Sequence, residues 1–129
     1  MIRSGILNPQ LLSLLARCRH TNRIVIADRG FPSWKGIETI DLSLVDGVPT
    51  VIQVLDAIRA NHTIGTAWMA REFLDNNSPE IRERFTKSLM DVQIEYKPHV
   101  EFKLLVPDCI GLIRTGETVQ YANMILESA

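Results

Sequence analysis

The sequence predicts a single layered α/β domain, and three observations carry that prediction. Short β-branched runs alternate with stretches whose apolar residues recur at helical spacing. Two of the helical stretches open on a cap residue followed by proline, Asn8-Pro9 and Ser78-Pro79. A chain of 129 residues has a one-domain length, enough to bury roughly two-thirds of its unfolded surface. No internal repeat, low-complexity tract or linker divides it, so residues 1–129 are read as one unit.

The elements follow in order. Asn8 can cap a helix in which Pro9 takes the first position, where its missing donor costs nothing. Leu11, Leu12, Leu14, Leu15 and Cys18 supply that helix's apolar face, and Arg19 and His20 suit its carbonyl end. Arg23 to Ala27 is a continuous β-branched run, better read as a buried strand than a helix. Asp28 to Gly36, DRGFPSWKG, is turn-forming and can wall a pocket. Ile37 to Leu42 reads as a strand, and Asp46-Gly-Val-Pro49 breaks the pattern. Thr50 then caps a helix running to about Ala60 with Val51, Val54, Leu55 and Ile58 on one face.

Ile64 to Met69 is strand-like despite Gly65. Ser78-Pro79 starts a helix with Ile81, Phe85 and Leu89 on its apolar side, and Val92 to Tyr96 alternates as a strand. His99 to Val106 reads as a short helix stopped by Pro107, Ile110 to Ile113 as a strand, Thr115-Gly116-Glu117 as a turn and Ala122 to Leu126 as a last strand. In this last third the strands can pair in either direction.

Composition narrows the partners. With 14 basic and 15 acidic residues interspersed and a formal charge of -1, the chain offers no positive field for a nucleic-acid backbone. No stretch approaches the roughly 18 apolar residues of a membrane span, and MIRSGILNPQ lacks the core and cleavage site of a secretory signal. A cytoplasmic protein is the expectation. Cys18 and Cys109 fall in no metal spacing and read as buried thiols in a reducing compartment. The charged share of 22% is thin for a small monomer, which favours self-association.

Few groups carry chemistry. His20, at a helix-to-strand junction, can exchange protons near neutral pH or merely complement a helix end. Asp28 closes a strand, where ligands of open α/β sheets gather; it can accept ligand hydroxyls or bond its own turn. His99 can donate to a ligand oxygen or serve as polar cover. His62 reads as an ordinary helix-end residue, and three histidines without i, i+4 spacing predict no metal site. Tyr121 and Asn123 would share a face if a strand begins there, and tyrosine also serves packing. Trp34 can stack on a sugar or a neighbouring subunit, whereas Trp68 reads as core. No dinucleotide fingerprint or GxxxxGK loop is present, so no nucleotide cofactor is expected.

Taken jointly, several stretches give a sharper expectation: Gly5-Ile-Leu-Asn8, His20-Thr with Ile24-Val-Ile-Ala-Asp28, Ile40-Asp-Leu-Ser-Leu44 with Gly47-x-Pro49, Glu101-Phe-Lys-Leu-Leu105, and Ile113-Arg-Thr-Gly-Glu117 with Tyr121-Ala-Asn123. In this order the chain resembles the D-ribose pyranase and L-fucose mutarotase family across nearly its whole length. The resemblance implies an α/β/α arrangement around a central mixed sheet. It implies cofactor-free, metal-free interconversion of the pyranose and furanose forms of a free aldose, with His20 as general acid and Asp28, His99, Tyr121 and Asn123 binding the sugar. It also implies a ring-shaped homo-oligomer with sites between subunits. Arg29 departs from the family's usual small residue; it could pair with Asp28, narrow the pocket or grip an anionic sugar derivative. Phe31-Pro-Ser-Trp34 adds bulk to the first loop, and Pro49-Thr-Val51 lacks an aromatic common in relatives. A mutarotase acting on a different sugar or sugar derivative, a sugar-binding or transport-accessory protein, or a purely structural oligomer is the competing expectation.

Overall fold

Asn8 starts the first helix, α1 (Pro9–Arg17), by accepting the Leu11 N–H on its Oδ1 at 2.8 Å, with Pro9 just inside the helix. The computed structural model describes residues 1–129. After α1 come β1 (Arg23–Ala27), β2 (Glu38–Asp41), α2 (Val51–Arg59), β3 (Ile64–Ala70), α3 (Glu72–Asn76), α4 (Pro79–Ser88), β4 (Gln93–Lys97), α5 (His99–Leu105), a 3₁₀ turn (Val106–Asp108), β5 (Gly111–Arg114) and β6 (Met124–Ser128). Thr50 and Gln53 close α2 reciprocally: the Gln53 N–H donates to Thr50 Oγ1 at 3.1 Å and the Thr50 N–H to Gln53 Oε1 at 2.9 Å. Ser78 caps α4 in the same way as Asn8 caps α1.

The strands form one mixed sheet in the order β2-β5-β1-β6-β3-β4. β5 lies parallel to β1 and β2, and β3 parallel to β4; β6 alone runs antiparallel, pairing with β1 through Ile26 and Met124 and with β3 through Trp68 and Ile125. The register of β3 against β6 shifts between Ile64 and Thr66, which accommodates Gly65 within the strand.

Side-chain alternation divides the interior into two layers. Ile24 and Ile26 of β1, Met124 and Leu126 of β6, and Ala67 and Met69 of β3 face the helices that carry Leu14, Leu55, Phe73 and Phe85. Val25, Ala27, Trp68, Leu112 and Ile125 face the other way, onto Phe102, Val106 and Phe31. The sheet is thus covered on both faces, which is why its central strands read as unbroken apolar runs. This is the α/β/α arrangement that the sequence and its resemblance led us to expect. Both thiols are buried and unpaired.

Several boundaries differ from expectation for identifiable reasons. Helix α3 is additional to the expected elements: it is five residues long, follows β3 directly, and Arg71, the residue at its N-cap position, makes no side-chain cap. The last strand begins at Met124 rather than Ala122, because Tyr121 has a left-handed φ of 55° and the Asn123 side chain is bonded to Asp28 instead of following the ladder. The helix from His99 gives way at Leu105 to the 3₁₀ turn that contains Pro107. Both sheet edges are short and charged: β2 carries Glu38, ion-paired to Arg17 at 2.5 Å, and β4 carries Glu95, which accepts the Trp68 indole N–H at 2.9 Å.

A small hairpin packs against the sheet end through Gly116, whose N–H donates to the Pro49 carbonyl at 2.8 Å and whose own carbonyl accepts the Gly47 N–H at 2.6 Å. A methyl at Gly116 would come within 2.6 Å of the Val48 carbonyl oxygen. Gly116→Ala is therefore expected to destabilise the fold by about 1–3 kcal/mol, seen as a lower urea midpoint with an unchanged slope. Burial also pushes the Cys109 thiol up to about 12. The folded state then holds a proton that the unfolded thiol releases from about pH 9, so this contribution to stability is complete below pH 9 and is lost as pH rises toward 12. Iodoacetamide at pH 8 is expected to leave Cys109 unmodified in native protein and to modify it in urea; labelling of the native protein at the unfolded rate would contradict this.

Candidate active site

The antiparallel course of β6 decides where the site forms. Parallel strands β1, β3, β4 and β5 deliver Asp28, Glu72, His99 and Arg114 at their carboxyl ends. Because β6 runs the other way, the segment entering it, Gln120 to Asn123, arrives at that same edge. Here lies a cavity of about 380 Å³ whose walls include Asp28, His99, Tyr121 and Asn123, with Gly30, Phe31, Pro32 and Gln120. Its volume suits a small ligand, and its place outside the carboxyl ends of the strands is where open α/β sheets bind ligands.

Asp28 and Asn123 form its floor as a reciprocal pair. The Asp28 N–H donates to Asn123 Oδ1 at 2.7 Å, and Asn123 Nδ2 donates to Asp28 Oδ2 at 3.1 Å. Asp28 Oδ1 also takes the Gly30 N–H at 2.9 Å. Of the roughly four lone-pair positions of a carboxylate, about two remain for ligand hydroxyls. Asp28 thus bonds its own turn and also lines the cavity.

His99 and Tyr121 meet above this floor. Their rings pack edge to face, 5.2 Å between centroids at 77°, and the imidazole lies nearly parallel to Phe102, 6.2 Å away at 13°. His99 Nδ1 is buried and bonded to no protein group. Tyr121 keeps its left-handed φ of 55°, a conformation that costs a non-glycine residue about 1–3 kcal/mol and persists where the surroundings over-determine it. The Phe31-Pro32 wall is held from beneath by Arg114, which donates to the Phe31 carbonyl from Nε at 3.3 Å and Nη2 at 3.1 Å, to Ser33 Oγ at 2.9 Å and to Asp41 Oδ2 at 3.0 Å. The Ser43 hydroxyl, and then Arg114, hold the Asp41 carboxyl below the usual range.

Within the single chain, two residues expected at the site lie away from the cavity. Arg29 does not line the cavity: Nη1 pairs with Asp46 at 2.6 Å, with both side chains more than half exposed. It neither pairs with Asp28 nor narrows the pocket, because the hairpin carboxylate captures it. His20 is exposed and precedes β1, whereas Asp28 follows it. The five residues of β1, at about 3.3 Å each, put on the order of 17 Å of strand between them. Within one chain they form no dyad. Of the two tryptophans, Trp68 is buried in the sheet interior, with the Arg23 guanidinium 4.3 Å above its ring; Trp34 is half-buried beside Phe31. His62 bonds Ser128 Oγ at 3.0 Å, far along β6 from the cavity. Sequence reasoning passed over Gln120 and Arg114. Arg114 lies inside the quoted Ile113 to Glu117 stretch, but nothing in its spacing says that its guanidinium crosses to a loop more than 80 residues earlier.

No group of three or more His, Cys, Asp or Glu side chains gathers in a way that could hold a metal ion, and no helix is long and apolar enough to cross a membrane.

Fold and cavity together define a mixed-sheet α/β protein with a small cavity lined by polar side chains at the carboxyl edge of its sheet. Comparison with known proteins takes this further: the chain belongs to the RbsD / FucU transport protein family, whose model matches residues 1–129. It is 42% identical over 128 residues to the D-ribose pyranase of Geobacillus kaustophilus, covering 99% of this chain and 93% of that one. It is 38% identical over 129 residues to the D-ribose pyranase of Kosmotoga olearia, covering 99% and 97%. Among solved structures, Bacillus subtilis RbsD complexed with D-ribose superposes with a TM-score of 0.93 at 38% identity, over 100% of this chain and 98% of that one. The fucose mutarotase of Streptococcus pneumoniae, solved with L-fucose, shares the fold at a TM-score of 0.79 and 24% identity, over 95% and 92%.

The Asp28–Asn123 pair gives a test that needs no ligand. Asn123 is only 2% exposed, so Asn123→Asp would set a second carboxylate against Asp28 with no donor between them. The variant is expected to lose about 3 kcal/mol or more at pH 7. The new carboxyl's folded-state pKa would lie above its unfolded value, so the deficit should shrink as pH falls toward 4 and one proton is shared. A deficit independent of pH would count against this account.

Proposed function

We propose that this protein interconverts the ring forms of a free aldopentose, D-ribose, by general acid–base catalysis. The carrying observation is the convergence of Asp28, His99, Tyr121 and Asn123 on one cavity, in a chain 38–42% identical to proteins named D-ribose pyranase. Asp28 would accept sugar hydroxyls, Tyr121 and the His99 ring would orient the sugar, and a hydroxyl reaching His99 Nδ1 would satisfy a nitrogen that the protein leaves unbonded.

The chemistry requires a proton on the ring oxygen as the anomeric hydroxyl loses one, giving the open-chain aldehyde. Closure by the C4 hydroxyl, which loses its proton as the carbonyl oxygen gains one, gives the furanose. His20 would be the proton donor. Since it lies at the far edge of the sheet from its own cavity, it would enter the cavity of another copy in a ring-shaped assembly. The exposed apolar side chains beside His99 support that arrangement: Val100 and Leu104 are 73% and 74% exposed and border a second hollow of about 280 Å³ that shares His99 as a wall. The buried free thiols fit a reducing compartment such as the cytoplasm. An isolated chain, lacking His20 at its cavity, favours a second reading in which sugar is bound without turnover.

Magnetisation transfer between the anomer signals of ribose tests both. The wild-type protein is expected to accelerate exchange. His20→Ala is expected to remove the acceleration, a loss of about 10²–10⁴-fold, while ribose still raises the melting temperature. Thermal stabilisation by ribose with no acceleration in the wild type would select the binding reading. If the site spans two chains, mixing unfolded-and-refolded His20→Ala and Asp28→Ala proteins should restore about a quarter of the wild-type rate, since half the chains donate His20 and half offer Asp28. No recovery in co-assembled protein would place the proton donor within a single chain.

A further inference from the structure

We propose that Glu72 and Asn77, at the two ends of helix α3, are positioning residues that hold His99 and Tyr121 in register across the sugar cavity. The proposal rests on the sugar-site reading above and extends it to residues that do not line the cavity.

Helix α5 begins at His99 after Pro98, and proline has no side chain with which to cap the free first-turn amides. A carboxylate from a different element takes that role. The His99 N–H donates to both oxygens of Glu72, at 3.0 and 2.9 Å. This charge-assisted bond fixes the backbone from which the imidazole projects. At the other end of α3, Asn77 Nδ2 donates to the Phe73 carbonyl at 2.8 Å and to the Gln120 carbonyl at 2.9 Å. Gln120 is the residue before Tyr121, so this bond anchors the turn in which Tyr121 adopts its left-handed φ of 55°.

The bracket itself is firmly seated. Phe73 is 1% exposed and packs on Phe85 with ring centroids 4.8 Å apart, and the Arg71 N–H donates to the Lys97 carbonyl at 2.8 Å, tying α3 to the strand that leads into His99. One short helix thus holds the two sides of the 5.2 Å His99–Tyr121 contact by separate polar bonds. Neither bond is needed to bury apolar surface. Both set where an imidazole and a phenol stand, and a misplacement near 1 Å can slow a reaction by about 10²-fold.

The experiment compares Glu72→Ala, Glu72→Gln and Asn77→Asp with wild type. The Glu72→Gln variant keeps one acceptor oxygen for the His99 N–H, whereas Asn77→Asp keeps the size of asparagine but leaves no donor for the Gln120 carbonyl. Glu72→Ala and Asn77→Asp are expected to lose about tenfold or more in kcat/KM for ribose ring exchange, and Glu72→Gln to stay within about threefold of wild type. Without sugar, the nuclear Overhauser contact between the His99 and Tyr121 rings should persist in wild type and Glu72→Gln and fade in the other two, with native circular dichroism retained. Folded Glu72→Ala or Asn77→Asp protein with an undiminished ring contact overturns the proposal. Equal losses in Glu72→Gln and Glu72→Ala also overturn it, since rescue by the amide oxygen would be absent. Should Glu72→Ala fail to fold, the ring contact in Asn77→Asp decides. A wild type that does not accelerate exchange refutes the sugar-isomerase reading instead, while the ring contacts still decide the positioning role.

Discussion

One strand runs against its neighbours, and the site depends on that reversal. Were β6 parallel to β1 and β3, the Gln120–Asn123 segment would enter at the amino edge of the sheet, a strand's length from Asp28. Pairing of Ile26 with Met124 instead sets Asn123 opposite the end of β1, where its amide can exchange two hydrogen bonds with Asp28. The apolar residues of β6 make this the stable choice: Met124 and Leu126 meet one helical layer and Ile125 the other, so a one-residue slip would turn every one of them to the wrong side. Hydrophobic register in the sheet interior therefore fixes the polar geometry at its edge.

Around that edge, buried polar groups do the fastening. Glu117, 5% exposed, accepts the Val51 N–H at 3.0 Å, the Thr118 N–H at 3.0 Å and the Val119 N–H at 3.1 Å, while its carbonyl takes the Arg29 N–H at 3.1 Å. One carboxylate thus ties the start of α2 to the loop leading to Tyr121, and the same residue's backbone holds the position after Asp28. Arg114 does the same for the Phe31-Pro32 wall. Such groups are tolerable in the interior because their hydrogen-bonding capacity is filled, and for that reason they hold the loops to one arrangement.

Most of the architecture was legible because its signals are local. The β-branched run Ile24–Ala27 and the caps Asn8, Thr50 and Ser78 each declare an element within a few residues. Helix α3 gave no such signal, being shorter than two turns and uncapped. The cavity residues Asp28, His99, Tyr121 and Asn123 were all named from the sequence and do meet, but the family resemblance brought them together, since no spacing rule joins positions 95 apart. Strand alternation, the local argument for Tyr121 and Asn123 sharing a face, does not apply: they converge through a left-handed turn. The separation of His20 from Asp28 follows from strand length alone, and Arg29 shows how an exposed partner, Asp46, can divert a guanidinium from a neighbouring carboxylate.

The outer strands carry a consequence for how copies of the chain can meet. β2 is four residues long with acidic side chains at both ends, and β4 presents Gln93, Glu95 and Lys97 along its length. Charged, abbreviated margins of this kind discourage one sheet from continuing into another. Growth by edge-to-edge stacking, the route to fibres, is thereby disfavoured at both borders.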